Sequence, residues 1–202
     1  MNINAWYNEK PIDAMLHIER QRCEFLLTKF TGQRIAFLSE FLPYQELIHH
    51  GFRETLLISH QVKKWLPQIV CANYDELPLD SDYLNCSVLL HIFDFSHFVD
   101  EVIAELWRVT AAEGIVIIFG FNPYPLFGQM RLLKQLANQQ QLKRAIPPNV
   151  LRPKLMHQGF ELLEFGTIIH RLASSNINLF HKLKFLDIVG DICWTDSGAI
   201  YY

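Results

Sequence analysis

The hydrophobic positions along the first half of the chain alternate between helix-like and strand-like patterns. From Pro11 to Phe30 the apolar residues recur at helical spacing, and Gly32 follows just beyond, which predicts a helix. Shorter apolar runs then predict four strands: Arg34–Ser39, Glu54–Ser59, Gln68–Asn73 and Cys86–Phe93. The last of these is apolar throughout, which is typical of a strand covered on both faces.

The second half continues this alternation and then changes. Ser96 is a predicted N-cap for a helix that ends near Gly114, and Ile115–Phe119 is the fifth predicted strand. The later predicted elements are the helices Met130–Gln141 and Asn149–Gln158 and the strands Phe160–Arg171 and Ala199–Tyr202. Alternating strands and helices predict an α/β fold with a mostly parallel, seven-stranded sheet. Because no clear crossover helix separates the last two strands, we expect them to form an antiparallel edge hairpin.

Length and composition limit the functional classes. A chain of 202 residues fits one domain, with an N-terminal helical region at 1–31 and a sheet core at 33–202. Half of the residues are hydrophobic and 19% are charged, so we expect apolar surface that contacts a homodimer partner, another protein or a hydrophobic ligand. The net charge of −3, without a basic run, argues against nucleic-acid binding.

The cysteines and the apolar runs bear on metals and location. The four cysteines are far apart in sequence and form no CxxC pair, so we predict no metal site. No apolar run approaches the roughly 20 residues of a membrane span, and Met1–Lys10 has no apolar core of a secretory signal. We therefore expect a cytoplasmic protein without a transmembrane segment.

The segment Asn73–Asp82, which contains Leu77-Pro78-Leu79 and precedes the fourth strand, resembles the small-molecule branch of the class I SAM-dependent methyltransferases. The turn at Glu113-Gly114 and the strand Ile115–Phe119 fit the same pattern. The stretch Gly120–Gly128 is similar to that of short bacterial methyltransferase-domain proteins. The resemblance implies a Rossmann-like fold, S-adenosyl-L-methionine (SAM) as cofactor, and methyl transfer to a small or hydrophobic acceptor.

The chain departs from this family at the ends of its first two strands. The family has a Gly-x-Gly turn after the first strand, whereas here no glycine occurs between Gly32 and Gly51. The second strand ends in Ser59-His60 instead of the acid that binds ribose in the family. The alternative is therefore a methyltransferase-like pseudoenzyme that binds a ligand or protein without catalysis.

Candidate site residues follow from the rule that ligands bind at the carboxyl ends of the strands in such sheets. Together with the resemblance, this rule predicts a set of cofactor contacts: Ser39, Glu40, Ser59, His60, Asn73, Leu77 and His91. His91 is the candidate general base, with a structural role as the alternative. Asp94 is a candidate to orient His91, hold substrate or cap a helix. The amphipathic Ile177–Val189, with Phe119–Phe127, is predicted to form a hydrophobic interface or pocket wall.

Overall fold

The computed structural model describes residues 10–39, 51–60, 69–123, 145–170, 182–187 and 200–202. Its helices are α1 (Lys10–Leu27), α2 (Ile92–Phe95), α3 (Val99–Val109) and α4 (Pro148–Gln158). Its strands are β1 (Gly32–Ser39), β2 (Phe52–Ser59), β3 (Ile69–Cys71), β4 (Leu84–Leu90), β5 (Thr110–Phe121), β6 (Thr167–Ile168) and β7 (Ile200–Tyr201). In the described part of the chain, no helix is both long and apolar enough to cross a membrane.

The strands form one sheet in the order β3-β2-β1-β4-β5-β7-β6. Strands β3, β2, β1, β4 and β5 run parallel, while β7 pairs antiparallel with both β5 and β6. The strand order reverses between the neighbouring strands β1 and β4. In open α/β sheets this switch point opens a crevice at the carboxyl ends of the strands. The predicted parallel α/β architecture is therefore confirmed.

Helices cover both faces of the sheet, which explains the continuous apolar runs of its central strands. In β1, Ile35 and Phe37 face one side and pack with apolar residues of α1, whereas Ala36 and Leu38 face the other and pack with α3 and α4. Since successive residues of a strand point to opposite faces, each position of a doubly covered strand meets the core.

The predicted ends of β4 and of the following helix are wrong. The strand ends at Leu90, and Ile92–Phe95 forms one helical turn instead of continuing the strand. His91 between them has φ 59°, a left-handed conformation that breaks the strand. Helix α3 starts at Val99 rather than after a Ser96 cap, and β5 already begins at Thr110.

The antiparallel edge differs from the prediction as well. The parallel part of the sheet has five strands, and only Thr167–Ile168 of the predicted strand Phe160–Arg171 is a strand. The two-residue strands β6 and β7 pair antiparallel, but the long stretch of chain between them means that they form no hairpin. The predicted helix Met130–Gln141 lies outside the described residues.

Candidate functional site

A cleft of about 280 Å³ opens where the chain leaves β2, β3 and β4, at the carboxyl edge of the sheet. Its described lining residues are His60, Asn73, Tyr74, Asp75, Ile92, Ser96, His97, Phe98 and Val102. The lining combines a carboxylate, an amide and imidazoles with aromatic and aliphatic surface. Such a mixture of apolar walls and a few polar groups is typical of small-molecule sites.

Hydrogen bonds between the ends of β2 and β3 fix one side of this cleft. The backbone N–H of His60 donates to the hydroxyl of Tyr74 over 3.3 Å, and the Cys71 thiol donates to the His60 carbonyl over 3.4 Å. The Ala72 N–H donates to the Ser59 carbonyl over 3.1 Å, which continues the pairing of the two strands. The Tyr74 ring is therefore held beside the end of β2.

Side chains of α3 anchor the loop that follows β3. Glu105 accepts the backbone N–H of Leu77 over 2.6 Å, and Arg108 donates to the Leu77 carbonyl over 3.1 Å. The Arg108 hydrogen bond to Glu105, partly opposed by burial, lowers the pKa of the Glu105 carboxyl, so this anchor is ionised at neutral pH. Leu77 itself is buried in the core and is not among the described lining residues, so its contact with a cofactor stays a prediction.

The opposite side of the cleft is the turn between α2 and α3. The Ser96 hydroxyl accepts the backbone N–H of Phe98 over 3.1 Å, so it closes a local turn rather than capping the helix as predicted. The Phe98 side chain is 56% exposed although it is large and apolar. An exposed aromatic ring on a cleft wall is a surface on which a flat ligand can stack.

Beside this turn, His91 lies in a fully buried cluster with two carboxylates. Its Nδ1 is 2.7 Å from Oδ2 of Asp94, and its Nε2 is 2.8 Å from Oε2 of Glu19 on α1. The imidazole stacks on Phe121 with ring centroids 4.0 Å apart, and the Phe121 N–H donates to the same Asp94 oxygen over 2.9 Å. Of the predicted roles of Asp94, the orientation of His91 is the one that fits this contact.

The carboxylates determine the protonation of His91. Burial lowers its pKa, but the Glu19 charge and the hydrogen bonds to Asp94 and Glu19 outweigh burial and raise the pKa to about 10. Burial also raises the pKa of Asp94, partly opposed by its hydrogen bond to His91. A ring that holds a proton on both nitrogens has no lone pair left to accept another. This arrangement argues against His91 as general base at neutral pH.

Two buried polar atoms near this cluster have no hydrogen-bond partner in the described structure: Oδ1 of Asp94 and the hydroxyl of Tyr201. Burial and, to a lesser degree, the Asp94 charge raise the pKa of Tyr201 well above its usual value, so this hydroxyl stays protonated. Unsatisfied buried groups are rare in folded proteins and are often satisfied by a water molecule or ligand.

The predicted site residues therefore separate into groups. His60 and Asn73 line the cleft, Ser39 and Ser59 are buried at the ends of β1 and β2, and Glu40 lies outside the described residues. Several further residues of the cleft and the buried cluster are not predicted from the sequence: Glu19, Asp75, Ile92, His97, Phe98 and Val102. Glu19 carries a recognisable signal, because a carboxylate stands on the apolar stripe of α1 between Leu16 and Cys23.

The predicted hydrophobic interface is only partly within the described structure. Phe119 and Phe121 are buried in the sheet core, so these two side chains do not contribute to an exposed interface. Of Ile177–Val189, residues 182–187 are described, and Phe185 is 56% exposed. An interface at Phe185 stays a prediction.

No protein-family model matches the sequence, and no curated protein matches it. Solved structures match over most of the chain. A SAM-dependent methyltransferase from Archaeoglobus fulgidus is 14% identical with a TM-score of 0.66, over 92% of this chain and 91% of that one. An S-adenosylmethionine-dependent methyltransferase from Mesorhizobium loti is 12% identical with a TM-score of 0.60, over 85% and 89%.

A third match is the complex of the Haloferax volcanii Trm112 methyltransferase activator and a methyltransferase described as putative. It is 12% identical with a TM-score of 0.58, over 82% of this chain and 79% of that one. At these identities the similarity concerns the fold, and the fold shared by these matches is the one that the motifs after β3 predict. This chain has the fold of the class I SAM-dependent methyltransferases.

Proposed function

We propose that this protein binds SAM at the carboxyl edge of its sheet and transfers the methyl group to a small or hydrophobic acceptor. The observation that carries the proposal is the position of the cleft. Its residues follow the ends of β2, β3 and β4, next to the switch point where open α/β sheets bind ligands.

The chemistry of the cleft fits the adenosine part of this cofactor. Phe98 and Ile92 offer apolar surface to the flat adenine ring, and the Asn73 amide can both donate to and accept from its polar edge. His60, after β2, lines the same cleft, and the resemblance to the family implies that groups at this strand end contact the ribose hydroxyls. At about 280 Å³ the cleft is close to the lower end of ligand pockets, roughly 300 Å³, so it fits the nucleoside half of the molecule.

The protein's contribution to transfer is proposed to be positioning. SAM supplies a methyl group that is already activated by its sulfonium. Because both nitrogens of His91 face carboxylates, we do not assign it the role of base. Its role is to hold the turn that carries Ile92, while Ser39 and Ser59 belong to the strand ends beside the cofactor.

Calorimetric titration with SAM, S-adenosylhomocysteine and adenosine tests this proposal. Phe98→Ala should weaken the binding of all three ligands. Loss of a stacked ring costs roughly 0.5–1.5 kcal/mol in addition to the free energy lost with its buried apolar area. Phe25→Ala is the matched control, because this phenylalanine is 51% exposed but lies on α1, outside the described cleft lining. Asn73→Ala should weaken binding severalfold, as should Glu40→Gln if this acid contacts ribose or the methionine amine.

The alternative is a pseudoenzyme, and the ends of the first two strands favour it. No glycine follows β1 up to Gly51, and Ser59 is fully buried where the family has a ribose-binding acid. Binding of SAM without methyl transfer to any acceptor tested would support this alternative. If the folded protein releases no heat of binding at millimolar SAM, the methyltransferase proposal is rejected.

A further inference from the structure

The geometry points to Glu19 as a positioning residue for the cleft, acting through His91 from the opposite face of the sheet. This inference rests on the proposed function, since it concerns how the same cleft keeps its shape. None of the described cleft residues belongs to α1, so Glu19 would influence a ligand that it does not touch.

The first step is the backbone of His91. At φ 59° it occupies the left-handed region, which is unfavourable for a residue with a side chain. Two charge-assisted hydrogen bonds hold the ring in place, one to Asp94 in the next turn and one to Glu19, 72 residues earlier. Hydrogen bonds to charged groups are among the stronger ones in proteins, so these two can hold the ring against that strain.

The second step is the connection from His91 to the cleft. Ile92 directly follows His91 and lines the cleft, and the same short stretch continues through Ser96 to Phe98 on the cleft wall. Asp94, in the middle of this stretch, also accepts the Phe121 N–H and so ties it to the end of β5. If the His91 ring were released, its backbone could relax and the orientation of Ile92 would change.

The third step concerns why Glu19 is a carboxylate. Its side chain is fully buried, and buried ion pairs commonly contribute little net stability, because removing the charges from water offsets their attraction. Asp94 already places one carboxylate on the Nδ1 side of His91, and Glu19 places a second on the Nε2 side. An uncharged residue of the same size at position 19 would leave the contact between His91 and Asp94 in place. We therefore expect the charge of Glu19 to serve orientation more than stability.

The test is Glu19→Gln, which keeps the size of the side chain and an acceptor oxygen but removes the charge. Glu24→Gln is the matched control, because Glu24 lies on the same helix and pairs with Arg20 at 3.0 Å, away from the cluster. We expect the melting temperature of Glu19→Gln to lie within a few degrees of that of the wild type. We expect its SAM binding to be weaker by about fivefold or more. Glu24→Gln should bind SAM like the wild type.

Two further readouts separate positioning from general loss of structure. Histidine NMR at pH 8 should show His91 doubly protonated in the wild type and in Glu24→Gln, and a lower pKa in Glu19→Gln. Amide hydrogen exchange without ligand should be faster at residues 92–98 in Glu19→Gln and unchanged in β1 and β2. Glu19→Asp, which restores the charge, should recover part of the affinity.

These outcomes also separate this inference from the proposed function. If the wild type binds SAM and Glu19→Gln binds it equally well, the positioning role of Glu19 is wrong and the function stands. If the wild type does not bind SAM, the function fails, and exchange at residues 92–98 decides the inference alone. Unchanged exchange there, with an unchanged His91 signal, would overturn it. If Glu19→Gln does not fold, the same measurements on Glu19→Asp decide, since its shorter side chain alters the contact and keeps the charge.

Discussion

The charge on His91 should make folding stability fall as the pH rises from 6.5 to 8.5. The pKa of His91 is raised from 6.5 in the unfolded chain to about 10 in the folded protein. A raised folded pKa contributes stability that is complete below the unfolded pKa and is lost as the pH rises toward the folded pKa. Above pH 6.5 the unfolded chain releases this proton while the folded protein keeps it, so the loss approaches 1.36 kcal/mol per pH unit. Between pH 6.5 and 8.5 it amounts to about 2 kcal/mol.

The other shifted pKa values do not cancel this loss of stability between pH 6.5 and 8.5. Burial raises the pKa of the Cys86 thiol to about 12, which affects stability only above its unfolded value of 9.0. The pKa of Asp94 is raised by burial, so its titration acts in the same direction as that of His91. The carboxyls of Glu105 and Glu164 have lowered pKa values, so their contributions are complete well below pH 6.5.

Urea denaturation at pH 6.5, 7.5 and 8.5 measures this loss. His17→Asn is the matched control, because His17 is an exposed histidine on α1, outside the buried cluster of His91, Glu19 and Asp94. His91→Asn removes the titrating ring with a residue that tolerates the left-handed conformation, and should flatten the slope. A free energy of unfolding that does not change between pH 6.5 and 8.5, or a wild-type His91 that NMR finds neutral at pH 7.5, would refute the assignment.

Three further predictions concern packing. Tyr201→Phe should leave stability unchanged or raise it slightly in thermal melts, because it removes a buried hydroxyl without a partner; a loss above 1 kcal/mol would indicate that the hydroxyl is bonded. Gly120→Ala should cost roughly 1–3 kcal/mol in urea denaturation, because its methyl group would overlap the Tyr201 hydroxyl on β7; an unchanged midpoint would contradict this packing. Glu105→Ala should cost roughly 1–3 kcal/mol by the same assay and weaken ligand binding, because the Leu77 N–H loses its acceptor. The exposed Glu113→Ala should change neither quantity.

The sequence predicts the central strands well because both faces of the sheet are covered. β1, β2 and β4 read as continuous apolar runs, and the structure places them side by side in the core. The same burial on both faces makes the end of β4 difficult to predict from the sequence. Ile92 and Phe93 are apolar because they are buried in a helical turn, and a short apolar run does not distinguish a strand from a buried helical turn.

The buried cluster could be predicted only in part. Asp94 is three residues from His91, so their contact is local, and the sequence predicts it as one of three roles for Asp94. Glu19 is 72 residues away, and its contact depends on how α1 crosses the sheet, which hydrophobic periodicity does not determine. What the sequence does show is a carboxylate on an apolar helix face, and burying a charge without a partner is very unfavourable. Such a position predicts that a partner exists but not which residue it is.

The departure from the family at the end of β1 affects one half of the proposed cofactor more than the other. The described cleft draws on residues after β2, β3 and β4 and on the turn before α3, so the contacts available to a nucleoside do not depend on glycines after β1. In the family those glycines allow the backbone to approach the methionine part of SAM. A chain that keeps the cleft contacts for a nucleoside and lacks the glycines after β1 is expected to retain affinity for adenosine. The amino-acid portion of SAM is then expected to add little to that affinity. The comparison of adenosine with SAM is therefore more informative about this protein than SAM affinity alone. Equal affinities would mean that the nucleoside pocket was retained without the features that orient a methyl donor, and clearly tighter binding of SAM would mean that the segment after β1 compensates for the missing glycines.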